Sequence, residues 1–132
     1  MTLRVFRVEV KQLPKALNGK HARHFLSELE SSMDTDRPCI VLDCSNVGQM
    51  GRPVIRLLLR CLEEAIKRNG DIKLASISEA GMATLLFTGV SRLFEMFETN
   101  TDAQNSFYRL PVEADLHMTA LPKSYRASEN ST

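Results

Sequence analysis

The spacing of apolar and polar positions alternates along the chain between the period of a strand and that of a helix. Residues 3–13 are rich in valine and end before Pro14, which indicates one or two strands. Asn18 then precedes a helical stripe of apolar side chains, formed by Ala22, Phe25, Leu26, Leu29 and Met33. This spacing predicts a helix that is capped by Asn18 and ends near Ser32.

A turn region at residues 43–53 separates a buried strand from the longest predicted helix. The preceding run at 39–42 is continuously apolar, as in a strand covered on both faces. Pro53 suits the first position of a helix, where its fixed φ fits and its missing N–H loses no hydrogen bond. That helix is predicted to run to about Asn69 and to be closed by Gly70.

The same order of elements continues to residue 108. We predict a strand at 72–77, a helix capped by Ser78 and ended by Gly89, a short edge strand at 94–97 and a short helix at 101–108. Alternating strands and helices imply right-handed crossovers and a mostly parallel sheet. The prediction is one α/β domain over residues 1–108, with a mixed four- to five-stranded sheet and about four helices. Residues 109–132 are expected to be a C-terminal extension, partly ordered or disordered.

Composition fits an ordinary globular protein and excludes several function classes. Of 132 residues, 43% are hydrophobic and 25% are charged, and 17 basic against 16 acidic residues give a net charge of +1. That balance gives no electrostatic reason to expect nucleic-acid binding or an anionic membrane surface. No signal peptide is evident, and no apolar run approaches the ~20 residues of a membrane helix, so membrane insertion is not expected. The three cysteines are predicted to be buried thiols in a reducing cytoplasm.

Groups of residues that could carry catalysis are nearly absent from the sequence. His21 and His24 are spaced for one helix face, but no further metal ligands accompany them. Glu63 and Glu64 are adjacent on a helix and point in different directions, which disfavours paired acid–base chemistry. No phosphate-binding glycine loop and no nucleophile motif is present. We therefore predict no catalytic residue, no metal site and no cofactor.

The helix that starts near Pro53 is more apolar than a single buried face requires. Its apolar arc spans roughly 200°, whereas packing on one face of a sheet needs little more than about 100°. The remainder of the surface is expected to hold Arg56, Arg60, Glu63 and Glu64. The excess has two interpretations: contact with the neighbouring third helix, or a partner-binding surface that includes Ile55 and Leu59.

Two arginines stand at the start of this helix, where the helix dipole is unfavourable to cations. Arg52 is predicted at the N-cap and Arg56 in the first turn. Each cation there costs about 0.3–1 kcal/mol before screening, and Ser, Thr, Asn or Asp would be the favoured cap. Such departures from local rules concentrate at functional sites. The alternative is an exposed, salt-screened pair without a role.

Several segments of the sequence resemble the STAS domain, a family that includes the bacterial anti-sigma factor antagonists. The segments are Ile40 to Val47 followed by a long Leu-rich helix, Asp71 to Ser78, Leu85 to Val90, Leu93 to Phe97, and Thr101 to Ala103. The resemblance covers roughly residues 3–108. It implies the α/β fold that the hydrophobic pattern predicts independently.

The resemblance also implies a phosphoswitch that this sequence lacks. In antagonists of this family, a kinase-type anti-sigma factor phosphorylates a serine in the turn after the strand. Asp43 matches the family's aspartate, but the serine position is occupied by Arg52, or by Pro53 if the register shifts by one. Ser45 matches an ordinary position upstream of the switch. We therefore predict no phosphorylation at this turn, and a fixed positive charge in its place.

These observations predict a protein-binding STAS domain that resembles an anti-sigma factor antagonist. The partner-binding residues are expected to be Gln49, Met50, Gly51, Arg52, Pro53, Ile55, Arg56 and Leu59. The expected partner is a kinase-type anti-sigma factor or another regulatory protein, with a homodimer also open. The alternative is a structural or accessory subunit of a stress-signalling or lipid-transport ATPase assembly. A third hypothesis is a small anion or nucleotide site at Arg52 and Arg56.

Overall fold

Strands and helices alternate along the chain as the hydrophobic pattern predicts. A computed structural model describes residues 7–15 and 18–108. The elements are β1 (Val8–Gln12), α1 (Gly19–Ser32), β2 (Cys39–Asp43), α2 (Arg52–Lys67), β3 (Asp71–Ala75), α3 (Glu79–Thr88), a 3-10 helix (Val90–Leu93), β4 (Glu95–Phe97) and α4 (Asn100–Ser106). The predicted α/β class is confirmed, with four strands and four α-helices in the described residues. A strand within residues 3–6 and the extension at 109–132 lie outside those residues.

The four strands form one sheet in the order β1-β2-β3-β4. Each neighbouring pair is parallel, with Val10 beside Val41 and Leu42 beside Leu74. Within the part of the chain that the structure describes, no antiparallel strand makes the sheet mixed. Parallel strands place all their carboxyl ends at one edge of the sheet, and the β2–α2 turn begins at that edge.

Each face of the sheet packs against its own layer of helices. On one face, α1 and α2 contribute Leu29 and Leu58 to a core that includes Leu42 and Leu74. On the other face, Ala103 of α4 packs against Val41 and other small side chains of the sheet. Because β2 is central, four of its five residues are buried, which explains the continuous apolar run in its sequence.

Most helix ends follow their predicted capping residues. The Asn18 side chain accepts a hydrogen bond from the His21 N–H at 2.9 Å, and the Ser78 hydroxyl accepts one from the Gly81 N–H at 3.0 Å. Gly89 closes α3 in the left-handed region, with φ of 83°. Strand β3 ends at Ala75, two residues before the predicted Ile77, and the next residue is left-handed.

The closing residue of α2 differs from the prediction. Asn69, and not Gly70, takes the left-handed conformation, with φ of 59°. The Gly70 N–H donates to the Ala65 carbonyl at 2.8 Å and the Asn69 N–H to the Ile66 carbonyl at 3.0 Å, which is the Schellman pattern. Asn tolerates this backbone almost as well as glycine does. Glycine is needed at position 70 for another reason, because Pro38 lies too close to leave room for a side chain.

Candidate functional site

Asp43 is the last residue of β2, and its carboxylate accepts hydrogen bonds from two separate segments of the chain. Its Oδ1 accepts a hydrogen bond from the Ser45 N–H at 2.9 Å, and its Oδ2 accepts one from the Asn100 side-chain amide at 3.0 Å. Burial raises the pKa of Asp43, but the hydrogen bonds from Asn100 and Ser45 outweigh it and hold the pKa below its usual value. The carboxylate therefore ties the β2–α2 turn to the start of α4.

The turn after Asp43 is fixed by backbone bonds and by two apolar side chains. The Cys44 N–H donates to the Ala75 carbonyl at 2.9 Å, and the Ser78 hydroxyl donates to the Gly48 carbonyl at 2.6 Å. Val47 and Met50 are buried in the core. The prediction that Met50 belongs to an exposed binding surface is therefore corrected, because its side chain holds the turn onto the core.

Helix α2 begins one residue earlier than predicted. Gly51 is the N-cap, with an extended backbone, and its carbonyl accepts the Ile55 N–H at 3.1 Å. Arg52 is thus the first helical residue and not the cap, and Pro53 is the second. Gly51 has no side chain to satisfy the free N–H groups of the first turn, so this helix start has no side-chain cap.

The remaining predicted residues lie together on the outside of the turn and of α2. Gln49, Gly51, Arg52, Pro53, Arg56 and Leu59 are exposed, and Ile55 is half-buried. We call these seven residues the β2–α2 surface. Within the part of the chain that the structure describes, neither arginine of this surface forms an ion pair.

The wide apolar arc of α2 is only partly covered by neighbouring elements. The main helical neighbour of α2 is α1, and not α3, whose contact was one of the two interpretations of this arc. Ile55 and Leu62 pack partly on the core, but Leu59 is 37% exposed and Ile66 is 60% exposed. Exposed Leu59 is consistent with the predicted partner surface.

Glu64 departs from its predicted place on the solvent side of α2. Its side chain is buried against the end of the helix, where it pairs with Arg68 at 2.9 Å and with Lys67 at 3.2 Å. Hydrogen bonds from Arg68 and Lys67 lower the pKa of Glu64. The stems of these partners shield the carboxylate, which the angular position of Glu64 on the helix did not reveal.

Polar chemistry around the turn is limited. Ser45 is exposed and accepts a hydrogen bond from the Gln12 amide at 3.3 Å. The three cysteines are buried as predicted, and burial raises the pKa of Cys44 and Cys61 to about 12.

Among residues 7–15 and 18–108, no group of three or more His, Cys, Asp or Glu side chains could hold a metal ion. Within the same residues, every helix is too short or too polar to cross a membrane.

The sequence pattern missed an exposed apolar face on α3. Leu86 is 48% exposed and Phe87 is 92% exposed, and Leu93 in the 3-10 helix that follows is 55% exposed. Most residues of helix α3 are apolar, and its three polar residues, Glu79, Thr84 and Thr88, do not separate an inner from an outer face. The signal that could have identified this surface is that α3 has more apolar residues than a single buried face needs.

Comparisons with known proteins agree with the fold and with the family. An anti-sigma-factor antagonist (STAS) domain protein from Planctomyces limnophilus is 19% identical, with a TM-score of 0.66 over 76% of this chain and 90% of that one. The STAS domain of a SulP transporter from Vibrio cholerae is 14% identical, with a TM-score of 0.63 over 76% and 80%. No curated protein sequence matches the chain. The family model described as "STAS domain" matches residues 7–103, and the chain therefore belongs to the STAS domain family.

Proposed function

We propose that this chain is a protein-binding regulator that resembles an anti-sigma factor antagonist and engages its partner through the β2–α2 surface. The partner is a kinase-type anti-sigma factor or a related regulatory protein. Membership of a family of regulatory interaction domains supports this proposal. Binding does not depend on phosphorylation at the turn.

One observation carries this proposal: an uncapped helix start with two arginines that form no ion pair among the described residues, beside an exposed leucine. The backbone N–H groups of Arg52 and Val54 in the first turn, together with the Arg52 guanidinium, favour an anionic group of the partner at the same place. Leu59 lies two turns further along α2 and offers apolar contact area. Arginine is enriched among the central interface residues that contribute most of the binding energy, and Leu59 adds apolar area that excludes water around them.

The proposed surface has no switchable charge at the family's serine position. Arg52 or Pro53 stands there, and neither residue has a hydroxyl group that a serine kinase could phosphorylate. Phosphorylation of a serine would add about −1.5 to −2 charge. Arg52 instead presents a permanent positive charge, and we expect the partner to carry a carboxylate or similar group that faces it.

The test is a calorimetric titration against the kinase-type anti-sigma factors encoded in the source genome. We expect Arg52→Glu to weaken binding by about tenfold or more, because it opposes the partner's anionic group. An acidic residue in the first turn of α2 is favourable to the helix dipole, so stability should stay equal or rise slightly. Loss of binding is then separated from unfolding.

Arg23→Glu provides the matched control, because Arg23 is an exposed arginine on α1 and is not one of the seven residues of the β2–α2 surface. It changes the net charge equally and should leave affinity within about twofold. Leu59→Glu should also weaken binding while the fold survives. Binding to no encoded anti-sigma factor, or equal losses in the Arg23 and Arg52 variants, would contradict the proposal. Phosphate transferred to Ser45 by the partner would contradict its independence from phosphorylation.

Co-purification experiments with the same protein distinguish the proposed function from the alternative of an accessory subunit. A chain that co-purifies with an ATPase or transporter assembly, and that binds no anti-sigma factor, would fit that alternative. An anion-binding role predicts backbone amide shifts at Gly51 to Ile55 when inorganic phosphate is added, as followed by NMR. Shifts there without any protein partner would favour that third hypothesis.

A further inference from the structure

Helix α3 presents a whole face of apolar side chains to the outside. Gly81 and Leu85 point inward and are buried, whereas Ala80, Ala83 and Phe87 are exposed. The ring of Phe87 is 92% exposed. Monomeric soluble proteins do expose single apolar side chains, but a contiguous apolar face on one helix indicates an interaction surface.

The exposed apolar side chains of this face become larger from the start of α3 to its end. At about 100° per residue, Ala83 lies at its centre, with Ala80 and Phe87 on one side, and Leu86 and the charged Glu79 on the other. The two alanines occupy the first half of α3, and the two large side chains occupy the second half. Small residues let a second helix approach closely, and large residues need a recess to fill.

The geometry points to a second copy of this chain as the occupant of the α3 face. If two α3 helices pack antiparallel about a two-fold axis near Ala83 and Thr84, Phe87 of each copy lies over Ala80 of the other. A two-fold interface must be complementary to itself, and an alanine half that faces a Leu-Phe half satisfies this requirement. A parallel pair would instead place Phe87 against Phe87 and leave a gap at the alanines.

Charge at the ends of the face is consistent with the antiparallel arrangement. Glu79 is the one charged residue of α3, and it lies in the first turn. In the antiparallel pair, Glu79 lies near the C-terminal end of the other copy's α3, and exposed Arg92 follows that end. Among the described residues, neither Glu79 nor Arg92 forms an ion pair within its own chain. The two are therefore free to pair across the interface.

The area available predicts a weak dimer. A stable interface buries about 800 Å² on each partner, and an aromatic side chain contributes about 150–250 Å². Phe87 and Leu86, with Leu93 beyond the helix, supply about half of such an area. We expect self-association with a dissociation constant of about 10 μM to 1 mM, and no dimer at nanomolar concentration.

Sedimentation equilibrium of the full chain from about 5 μM to 1 mM tests the interface. We expect the wild type to shift from monomer to dimer over this range, and Phe87→Glu to shift the dissociation constant upward at least tenfold. Ile66→Glu is the matched control, because Ile66 is also an exposed apolar residue, at 60%, but lies on α2. It should leave self-association unchanged. Circular dichroism should show that both variants remain folded, since neither replaces a buried side chain.

Cysteine cross-linking tests the antiparallel register. Ala83→Cys lies next to the two-fold axis, so two copies should form a disulfide under mild oxidation. Glu79→Cys lies about 13 Å from its counterpart along the helix axes, at a rise of about 1.5 Å per residue, and should not cross-link. The wild type measures the background, because Cys39, Cys44 and Cys61 are buried.

A full chain that is monomeric throughout the range overturns this inference, and leaves the face to another protein or to residues 109–132. Self-association that Ile66→Glu abolishes and Phe87→Glu does not would also overturn it. A dimer in which Glu79→Cys links and Ala83→Cys does not would overturn the antiparallel register. None of these results depends on the β2–α2 surface, so the proposed function is tested separately.

Discussion

Gly70 lies where the end of α2 packs against the loop that leads into β2. The Asp71 N–H donates to the Pro38 carbonyl at 2.9 Å, and the Arg37 N–H donates to the Arg68 carbonyl at 3.1 Å. A Cβ atom at Gly70 would overlap the Pro38 carbonyl oxygen and lie 2.6 Å from its Cγ. Since these are backbone and ring atoms, they cannot move aside cheaply.

We therefore predict that Gly70→Ala lowers the free energy of unfolding by about 1–3 kcal/mol, as forced overpacking does. Urea denaturation measures the change. Gly48→Ala is the control, because nothing lies within 4 Å of a Cβ built there, and its effect should stay within about 0.5 kcal/mol. Equal losses in both variants would show that close packing at Pro38 is not the reason for Gly70.

At the scale of elements, one buried lysine connects β3, β4 and α4. The Lys73 side chain is only 7% exposed; its Nζ donates to the Ser106 hydroxyl at 2.7 Å and pairs with Glu95 at 3.0 Å. The same Nζ lies 4.2 Å from the ring centre of Phe107 and 5.6 Å from that of Phe97. Helix α4 has seven residues, too few to be stable alone, so these contacts hold it in place.

Lys73→Met keeps an unbranched apolar stem but removes the charge and the donor. We expect a loss of about 1–3 kcal/mol, from the bond to Ser106 and the two cation–π contacts. Hydrogen exchange should accelerate most in α4, and less in α1. Lys20→Met changes an exposed lysine on α1 and serves as the control. Unchanged exchange in α4 would mean that the packing of Ala103 and the Asp43–Asn100 hydrogen bond hold this helix without Lys73.

Helix ends were predictable where one side chain determines the local structure. Asn18, Ser78 and Gly89 act through their own side chain or backbone, so their roles follow from residue type. The start of α2 was misplaced by one residue, because the extended backbone of Gly51 and its carbonyl, not a side chain, define the N-cap. The exposed face of α3 was missed, since this mostly apolar helix has little contrast between an inner and an outer face in its sequence.

The candidate site was predictable in position but not in detail. Hydrophobic pattern and family resemblance both placed it after β2, and six of its predicted residues are exposed there. The sequence could not show that Met50 is buried, because its packing near Gly81 depends on where α3 begins. Nor could it show the bond between Asp43 and Asn100, which joins positions that are 57 residues apart in the chain.

At the scale of the whole molecule, Asp43 and Glu64 are two described carboxylates whose lowered pKa connects stability to pH. Asp43 ties the end of β2 to α4, and Glu64 ties the last turns of α2 together through Arg68. Hydrogen bonds hold the pKa of each group below its ordinary value, against the opposing effect of burial. A lowered pKa in the folded state means that the folded protein favours the ionised form more than the unfolded chain does.

The sign of the pH dependence follows from these directions. The stabilisation is fully present above the unfolded pKa values, near pH 4, and is lost as pH falls through the lower folded values. We predict that Asp43→Asn and Glu64→Gln are less stable than the wild type at pH 7, and that urea midpoints converge with the wild type towards pH 2. Glu63→Gln removes the same charge from an exposed neighbour, and its urea midpoint should change with pH as the wild-type midpoint does. A difference that persists unchanged at pH 2 would mean that packing, and not the carboxylate charge, connects these elements.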